Sequence, residues 1–192
     1  AAVETQLGEV RDEAAGHLRV NTTIGLGTVW LTSHLYAFRK LYPDITLSLV
    51  VTDSDLDLAM READVAIRLQ RPTQPDLRRL MTVHPHIYGS ARSLDAQGRP
   101  TSVADLDRHA LIAYGEHWQP PVPSLNWILQ VGHDEEESHS RRAALPINNV
   151  YGMLRAVESG LGLASLPDYL TSPNERLERV LPELEGPSFT AY

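Results

Sequence analysis

The sequence predicts an α/β protein built as two lobes. A strand-helix-strand-helix-strand pattern fills residues 17–69. Within it, Ile45–Val51 is an apolar, β-branched run, as expected of a strand covered on both faces. After residue 86 a second series of short strands and helices begins. The 192 residues allow one domain with a real core, or two lobes of roughly 80–100 residues each.

Residues 1–16 are Ala- and Glu-rich, with Val3, Leu7 and Val10 at helical spacing, and read as the end of a connecting helix. His17–Thr23 alternates like a strand. Gly25 and Gly27 are expected to mark a turn. Thr28 then caps a helix running to Tyr42, with Val29, Leu31, Leu35, Phe38 and Leu41 as its inward stripe. Pro43 and Asp44 stop it. A short helix over Asp55–Glu62 leads to a third strand, Asp64–Leu69. Parallel strands joined by helical crossovers are the economical arrangement of such a pattern.

The second series has a strand ending at Gly89 and Ser90, then a polar stretch containing Gly98 and Pro100. Val103–Asp107 reads as one or two helical turns and Leu111–Tyr114 as a buried strand. Leu125–Val131 is expected to be a strand, Asp134–Glu137 an acidic turn, and Ala143–Ile147 a strand. Asn148–Ser159 reads as a helix closed by Gly160, with Asn148 as its N-cap. Leu161–Leu166 is a buried strand ended by Pro167.

Composition excludes several functions. Net charge is -8, and the seventeen Lys and Arg form no basic stripe, so these residues are not expected to hold DNA themselves. Cysteine is absent, which removes disulfides, thiolate metal sites and cysteine nucleophiles. No apolar run approaches the ~20 residues that span a bilayer. Among the eight histidines, His84 and His86 lie two apart, while His133 and His139 flank the acidic run. Neither pair has zinc-site spacing, and Asp134–Glu137 lacks the alternating ligands and glycine of a calcium loop. No metal or cofactor is expected. There is no G-x-S-x-G elbow, Walker loop or complete G-x-G-x-x-G turn, so an enzyme is not expected.

In parallel α/β sheets ligands bind beyond the carboxyl ends of the strands. Those ends are Thr22 and Thr23, Thr52 and Asp53, and Arg68. The helix start beside them favours an anionic or polar ligand. Asn148 and Asn149 fall at a strand end of the second series. Plainer roles stay open: the threonines and Asn148 can cap or pair with backbone, Asp53 can cap a helix, and Arg68 can pair with a surface carboxylate. Trp118 and Trp127 either close the cleft or anchor the core.

The order of motifs resembles the effector domain of LysR-type transcriptional regulators. Gly16, Leu18, Arg19 and Val20 are similar to the family's opening strand. Leu35 and Phe38, followed by Tyr42 and Pro43, are similar to its first helix ending. Asp64–Arg68 (DVAIR) resembles its third strand, and Tyr88–Leu94 stands where the family crosses into its second lobe. Gly98 and Pro100 with Asp105, Leu106 and His109 resemble its "G-x-P … D-L … H" stretch. Ala156–Pro167 resembles its "A-x-x-G-x-G-I-A-x-L-P", with Leu177–Pro182 after it. Six such pieces in the right order are far more specific than any one.

The resemblance implies a type 2 periplasmic-binding-protein-like fold, each lobe a mostly parallel sheet with flanking helices. It implies a small-molecule effector in a cleft between the lobes, with contacts from Thr23, Ile24, Gly25 and Leu26, from Thr52 and Asp53, and from Arg68. Tyr88, Gly89, Ser90, Asn148 and Asn149 would contribute from the second lobe. Many relatives place a serine or threonine where Gly25 stands here. Residues 17–86 would form the first lobe, 87–187 the second, and 188–192 a strand returning toward the first; residues 120–142 match nothing in the family pattern. The resemblance also implies a cytoplasmic protein that forms homodimers, with tetramers in the full-length regulator, and that binds DNA through a preceding winged helix-turn-helix. A solute-binding protein serving a transporter is the alternative on a similar fold; it would carry an export signal or lipidated cysteine, and the linker-like residues 1–16 favour the regulator.

Overall fold

A computed structural model describes residues 14–53, 63–71, 78–118, 120–133, 140–172 and 174–192. The expected helix 55–62 and acidic turn 134–137 lie outside these residues, as does most of the linker-like segment. The chain divides into two compact units, Ala1–Ile67 and Arg68–Tyr192.

In the first unit β1 (Gly16–Thr22) is the central strand of three, between β2 (Ile45–Val51) and β3 (Val65–Ala66). Both pairings are parallel, with Gly16 opposite Ile45 and Val20 opposite Val65. The expected third strand is shorter than its apolar pattern. Between β1 and β2 the chain is helical from Ile24, passing through a π-helical segment, Leu26–Leu31, into α1 (Thr32–Leu41). This corrects the expected turn at Gly25 and Gly27 and the expected cap at Thr28. Gly25 is right-handed helical (φ -62°, ψ -49°), and Thr28 donates its hydroxyl back to the Ile24 carbonyl. Pro43 ends α1 as expected, because the residue before a proline is driven out of the helical region; Tyr42 sits at φ -136°, ψ 71°.

Gly27 is needed for contact, not for a turn. A β-carbon there would clash with Val51 Cγ1 and fall 2.8 Å from Thr22 Cγ2. The absent side chain lets the helix start rest directly on the ends of β1 and β2.

The second unit carries a five-stranded sheet in the order β7-β6-β8-β5-β9. Its strands are β5 (Pro85–Ser90), β6 (Leu111–Tyr114), β7 (Leu145–Ile147), β8 (Leu163–Pro167) and β9 (Leu177–Val180). β6 runs parallel to β7 and β8, while β5 is antiparallel to β8 and β9. A separate antiparallel pair joins β4 (Met81–Val83) to β10 (Phe189–Ala191). Arg68 and Tyr192 extend this edge by exchanging backbone bonds of 2.9 and 2.8 Å. Ile87, Leu94, Leu106, Leu111, Trp127, Ile128, Leu163 and Val180 form the buried core.

Two elements of this unit differ from the sequence reading. The polar stretch after Ser90 contains a helix, α2 (Ala91–Gln97), started by Ser90, whose hydroxyl accepts the Ser93 N–H at 3.3 Å. Only Ser93 and Leu94 are buried on it, too few to show a helical period. The expected strand 125–131 is instead a 3-10 segment, Pro123–Leu129, opened by its proline. A short apolar run cannot by itself distinguish a strand from a buried helical turn. Trp127 anchors this segment in the core through Nε1 to Ser165 Oγ, 2.5 Å, whereas Trp118 is 47% exposed.

α3 (Val150–Glu158) ends as expected at Gly160, which has φ +87°. The Gly160 N–H bonds the Val157 carbonyl at 2.9 Å and the Leu161 N–H bonds Ala156 at 3.2 Å. This is the paired closure that a left-handed glycine makes at a helix end. The short α4 (Asp168–Thr171) follows β8.

Candidate functional site

The carboxyl ends of β1 and β2 bring polar side chains into the interior of the first unit. Asn21, Thr22 and Thr23 are 1, 0 and 6% exposed. Their backbone carbonyls are engaged. Thr52 N–H bonds the Thr22 carbonyl at 3.0 Å, Gly27 N–H bonds the Thr23 carbonyl at 2.9 Å, and Ile67 N–H bonds Asn21 at 2.8 Å. The Thr22 and Thr23 hydroxyls, by contrast, are buried with no hydrogen-bond partner. A buried hydroxyl left unpaired costs about 1–3 kcal/mol and calls for an explanation.

Asp53 stands at the same place. Its Oδ1 accepts the Ile24 N–H at 3.0 Å, so the carboxylate caps the helix start from 29 residues away. Its Oδ2 is buried without a partner. Burial pushes the Asp53 carboxyl above the ordinary carboxylate range, and the Ile24 hydrogen bond only partly opposes this. Two hydroxyls and one carboxylate oxygen thus sit desolvated and unpaired where the helix meets the strand ends. Ile24 and Gly25 are part of this helix start, and Leu26 is fully buried beneath it. The structure therefore collects Thr23, Ile24, Gly25, Leu26, Thr52 and Asp53 at one end of the first unit. Thr22, read in the sequence as a strand end beside them, lies at the same end.

The remaining predicted site residues lie in the second unit. Arg68 is tied by its backbone to Tyr192. Tyr88 is half-buried in β5, opposite Ala164 and Arg179, and Gly89 beside it is buried. Ser90 is 4% exposed and caps α2. The helix cap expected of Asn148 is made by Asn149, whose Oδ1 accepts the Gly152 N–H at 2.7 Å. Asn149 Nδ2 in turn donates to Asn148 Oδ1 at 3.3 Å, leaving Asn148 exposed at the end of β7. At the end of β6, Asn126 closes the strand by accepting the Tyr114 N–H at 2.8 Å and donating to its carbonyl at 2.7 Å. Among the described residues no group of three or more His, Asp or Glu side chains is placed to hold a metal ion, and no helix is long and apolar enough to cross a membrane.

A parallel β-α-β unit with polar groups at its strand ends is an α/β arrangement in which ligands commonly sit beyond the strand ends. Residues 11–192 match the family described as the LysR substrate binding domain, and the chain belongs to that family. It is 26% identical over 189 residues to an HTH-type transcriptional regulator of Xanthomonas campestris pv. campestris, covering 96% of this chain and 55% of that protein. It is 28% identical over 184 residues to the probable HTH-type transcriptional regulator LtrA of Klebsiella pneumoniae, covering 93 and 58%. The chain therefore spans little more than half the length of these relatives. The regulatory domain of CrgA, a LysR-type transcriptional regulator from Neisseria meningitidis, superposes with a TM-score of 0.74 at 21% identity, covering 93% of this chain and 89% of that one. The full-length Vibrio cholerae virulence activator AphB gives 0.70 at 20% identity, covering 99 and 66%. At these identities the solved structures establish a shared fold, that of LysR regulatory domains.

Proposed function

We propose that this domain senses a small-molecule effector, which binds at the β1–β2 end of the first unit through Thr22, Thr23 and Asp53. The observation that carries the reading is the pair of buried, partnerless threonine hydroxyls beside an equally partnerless carboxylate oxygen. Buried polar atoms without partners are costly, and a ligand that pairs with them offsets that cost. Asn148, Arg68 and Tyr88, which the family resemblance also assigns to effector contact, belong to the second unit. In this reading residues 17–86 and 87–187 act as the two functional lobes, with 188–192 as the returning strand. Ligand binding would bias their equilibrium, and an attached DNA-binding domain in a self-associated regulator would read the bias.

The test is a thermal-shift panel on the wild-type chain and on Thr23→Val. A ligand at 100 times its Kd adds about 2.7 kcal/mol, which for a chain of this size is a rise of roughly 5–10 °C. Valine keeps the shape and removes the unpaired hydroxyl, so the unliganded variant should melt at or above the wild-type temperature while the ligand-induced rise disappears. A variant that melts lower and still responds fully to ligand would make the hydroxyl structural and overturn the reading.

A further inference from the structure

The effector reading leaves His84 and His86 unused. They stand two apart in the extended run that leaves β4 and becomes β5, and both meet the segment that leads from β9 toward β10. His84 Nδ1 lies 2.5 Å from Glu185 Oε1. The His86 ring hydrogen-bonds the Leu184 backbone. Between them, the Pro85 carbonyl accepts the Gly186 N–H at 2.9 Å. Leu184, Glu185 and Gly186 are thus held by His86, His84 and Pro85.

The two imidazoles differ in their surroundings. The side chains of His84 and Glu185 are both 44% exposed, and an ion pair so open to water contributes little. His86 is buried, and its Nδ1 has no hydrogen-bond partner. A neutral ring carries one N–H, whereas a charged ring carries two. The second N–H would be buried without an acceptor. The charged groups that face the ring are Arg179 from β9, Glu185 from the returning segment and Asp168 from the start of α4, with His84 beside Glu185. Both carboxylates are engaged, Glu185 on His84 and Asp168 on the Tyr169 N–H at 2.9 Å. Burial, and then Arg179, push the His86 ring below the ordinary histidine range, against Glu185, the Leu184 bond and Asp168. The His84 hydrogen bond holds Glu185 below the ordinary carboxylate range, so it stays ionised while histidines titrate.

We propose that His84, His86 and Glu185 form a proton-controlled clasp on residues 184–186, which holds the segment while His86 is neutral and lets it go when His86 takes up a proton. Glu185 can accept the new N–H only by leaving His84, and water only by entering beside the segment. A histidine depressed in the held state takes its proton more readily once released, so falling pH favours release. Because the segment leads into β10, the clasp gives the domain a proton input separate from the β1–β2 end, and it stands whether or not that end binds an effector.

The test is an NMR titration of the isotope-labelled chain from about pH 7.5 to about pH 5, the range over which histidines charge. Ring nitrogen resonances follow His86. Hydrogen exchange follows the Gly186 amide, as a ratio to the core Leu163 amide, which bonds the Ala110 carbonyl at 2.9 Å. The ratio removes the pH dependence of the exchange chemistry. Protection of Gly186 should fall roughly tenfold relative to Leu163, with the midpoint of the His86 ring. His86→Gln keeps a donor for the Leu184 backbone but does not charge, and should abolish the fall. Glu185→Gln, an exposed change that removes the facing carboxylate, should move the fall to lower pH. A ratio that is flat through the His86 titration, follows the His84 ring instead, or still falls in His86→Gln would overturn the clasp. So would a midpoint unmoved in Glu185→Gln, or a His86 ring that stays neutral until the whole chain unfolds.

Discussion

The carboxyl end of β1 and that of β6 are treated in opposite ways. At β1 the first unit buries Asn21, Thr22 and Thr23 and leaves both threonine hydroxyls unpaired. At β6 the second unit buries Leu111, Ile112, Ala113 and Tyr114, and Asn126 closes both backbone groups of the last residue. The cores differ in the same direction. Val20 and Leu26 are the buried apolar side chains among the described residues of the first unit, and α1 buries none of its side chains. Tyr36 and Leu41 are 72 and 53% exposed. In the second unit Ile87, Leu106, Leu163 and their neighbours form a continuous apolar cluster. The comparison teaches that apolar burial holds the second unit together, while the first gives interior space to polar groups that stabilise it only when something pairs with them. Binding sites are commonly built in such under-satisfied places.

Core truncation gives the largest expected contrast. Ile87→Ala should cost about 2–5 kcal/mol, because a fully buried side chain loses its transfer energy and leaves a cavity. Leu35→Ala on half-buried α1 should cost under about 1.5 kcal/mol. Urea unfolding of both variants checks this; equal losses would mean that the first unit is packed as tightly as the second.

Gly27→Ala comes next, at about 1–3 kcal/mol, the ordinary cost of forcing a methyl into packed space. The added carbon has to displace Val51 and Thr22, so the loss should come with shifted resonances for Thr22, Thr23 and Asp53. A variant of wild-type stability with unmoved resonances would show that the helix start does not bear on the strand ends.

The smallest expected effect concerns pH. Burial raises the Asp53 carboxyl above its unfolded value, so between the two values the folded chain holds more protons than the unfolded chain. Its contribution therefore favours folding in acid and is lost as pH rises through the folded value. At neutral pH the ionised group is a cost, and Asp53→Asn should melt roughly 2–4 °C higher than wild type. The gap should close as pH falls into the carboxylate range. A gap that widens in acid would show that the ionised carboxylate stabilises the fold.

The helix end at Pro43 and the strand Leu111–Tyr114 were legible in the sequence, as was the glycine stop at Gly160; Ile45–Val51 is a strand as read, but it lies at the sheet edge with Val50 and Val51 46 and 37% exposed, not covered on both faces. Each depends on interactions within one or two turns of chain: side-chain alternation, a proline clash, a left-handed glycine. The strand ends before helix starts could be located by counting, and Thr23, Thr52 and Asp53 were placed there in this way. Which polar groups pair there was not legible. Asp53 looked like a cap for a helix after it, yet it caps one 29 residues before it. Asn148 and Asn149 are chemically alike, and only the backbone of Asn149 (φ -157°, ψ 146°) points its oxygen at Gly152. Gly25 and Gly27 looked like a turn because glycine's backbone freedom is visible in a sequence, whereas a strand pressed against its α-carbon is not.

By itself, then, the sequence determined the alternation of strands and helices, the places where helices stop, and the family to which the domain belongs. The first two follow from side-chain period and backbone sterics, which act between near neighbours; the family rests on the order of motifs that resemble it. The tertiary structure alone decided which polar groups are satisfied. Hydrogen bonds and desolvation depend on where distant segments meet, and it was the parallel pairing of β1 with β2 that carried Asp53 to the helix start and left the hydroxyls of Thr22 and Thr23 without partners.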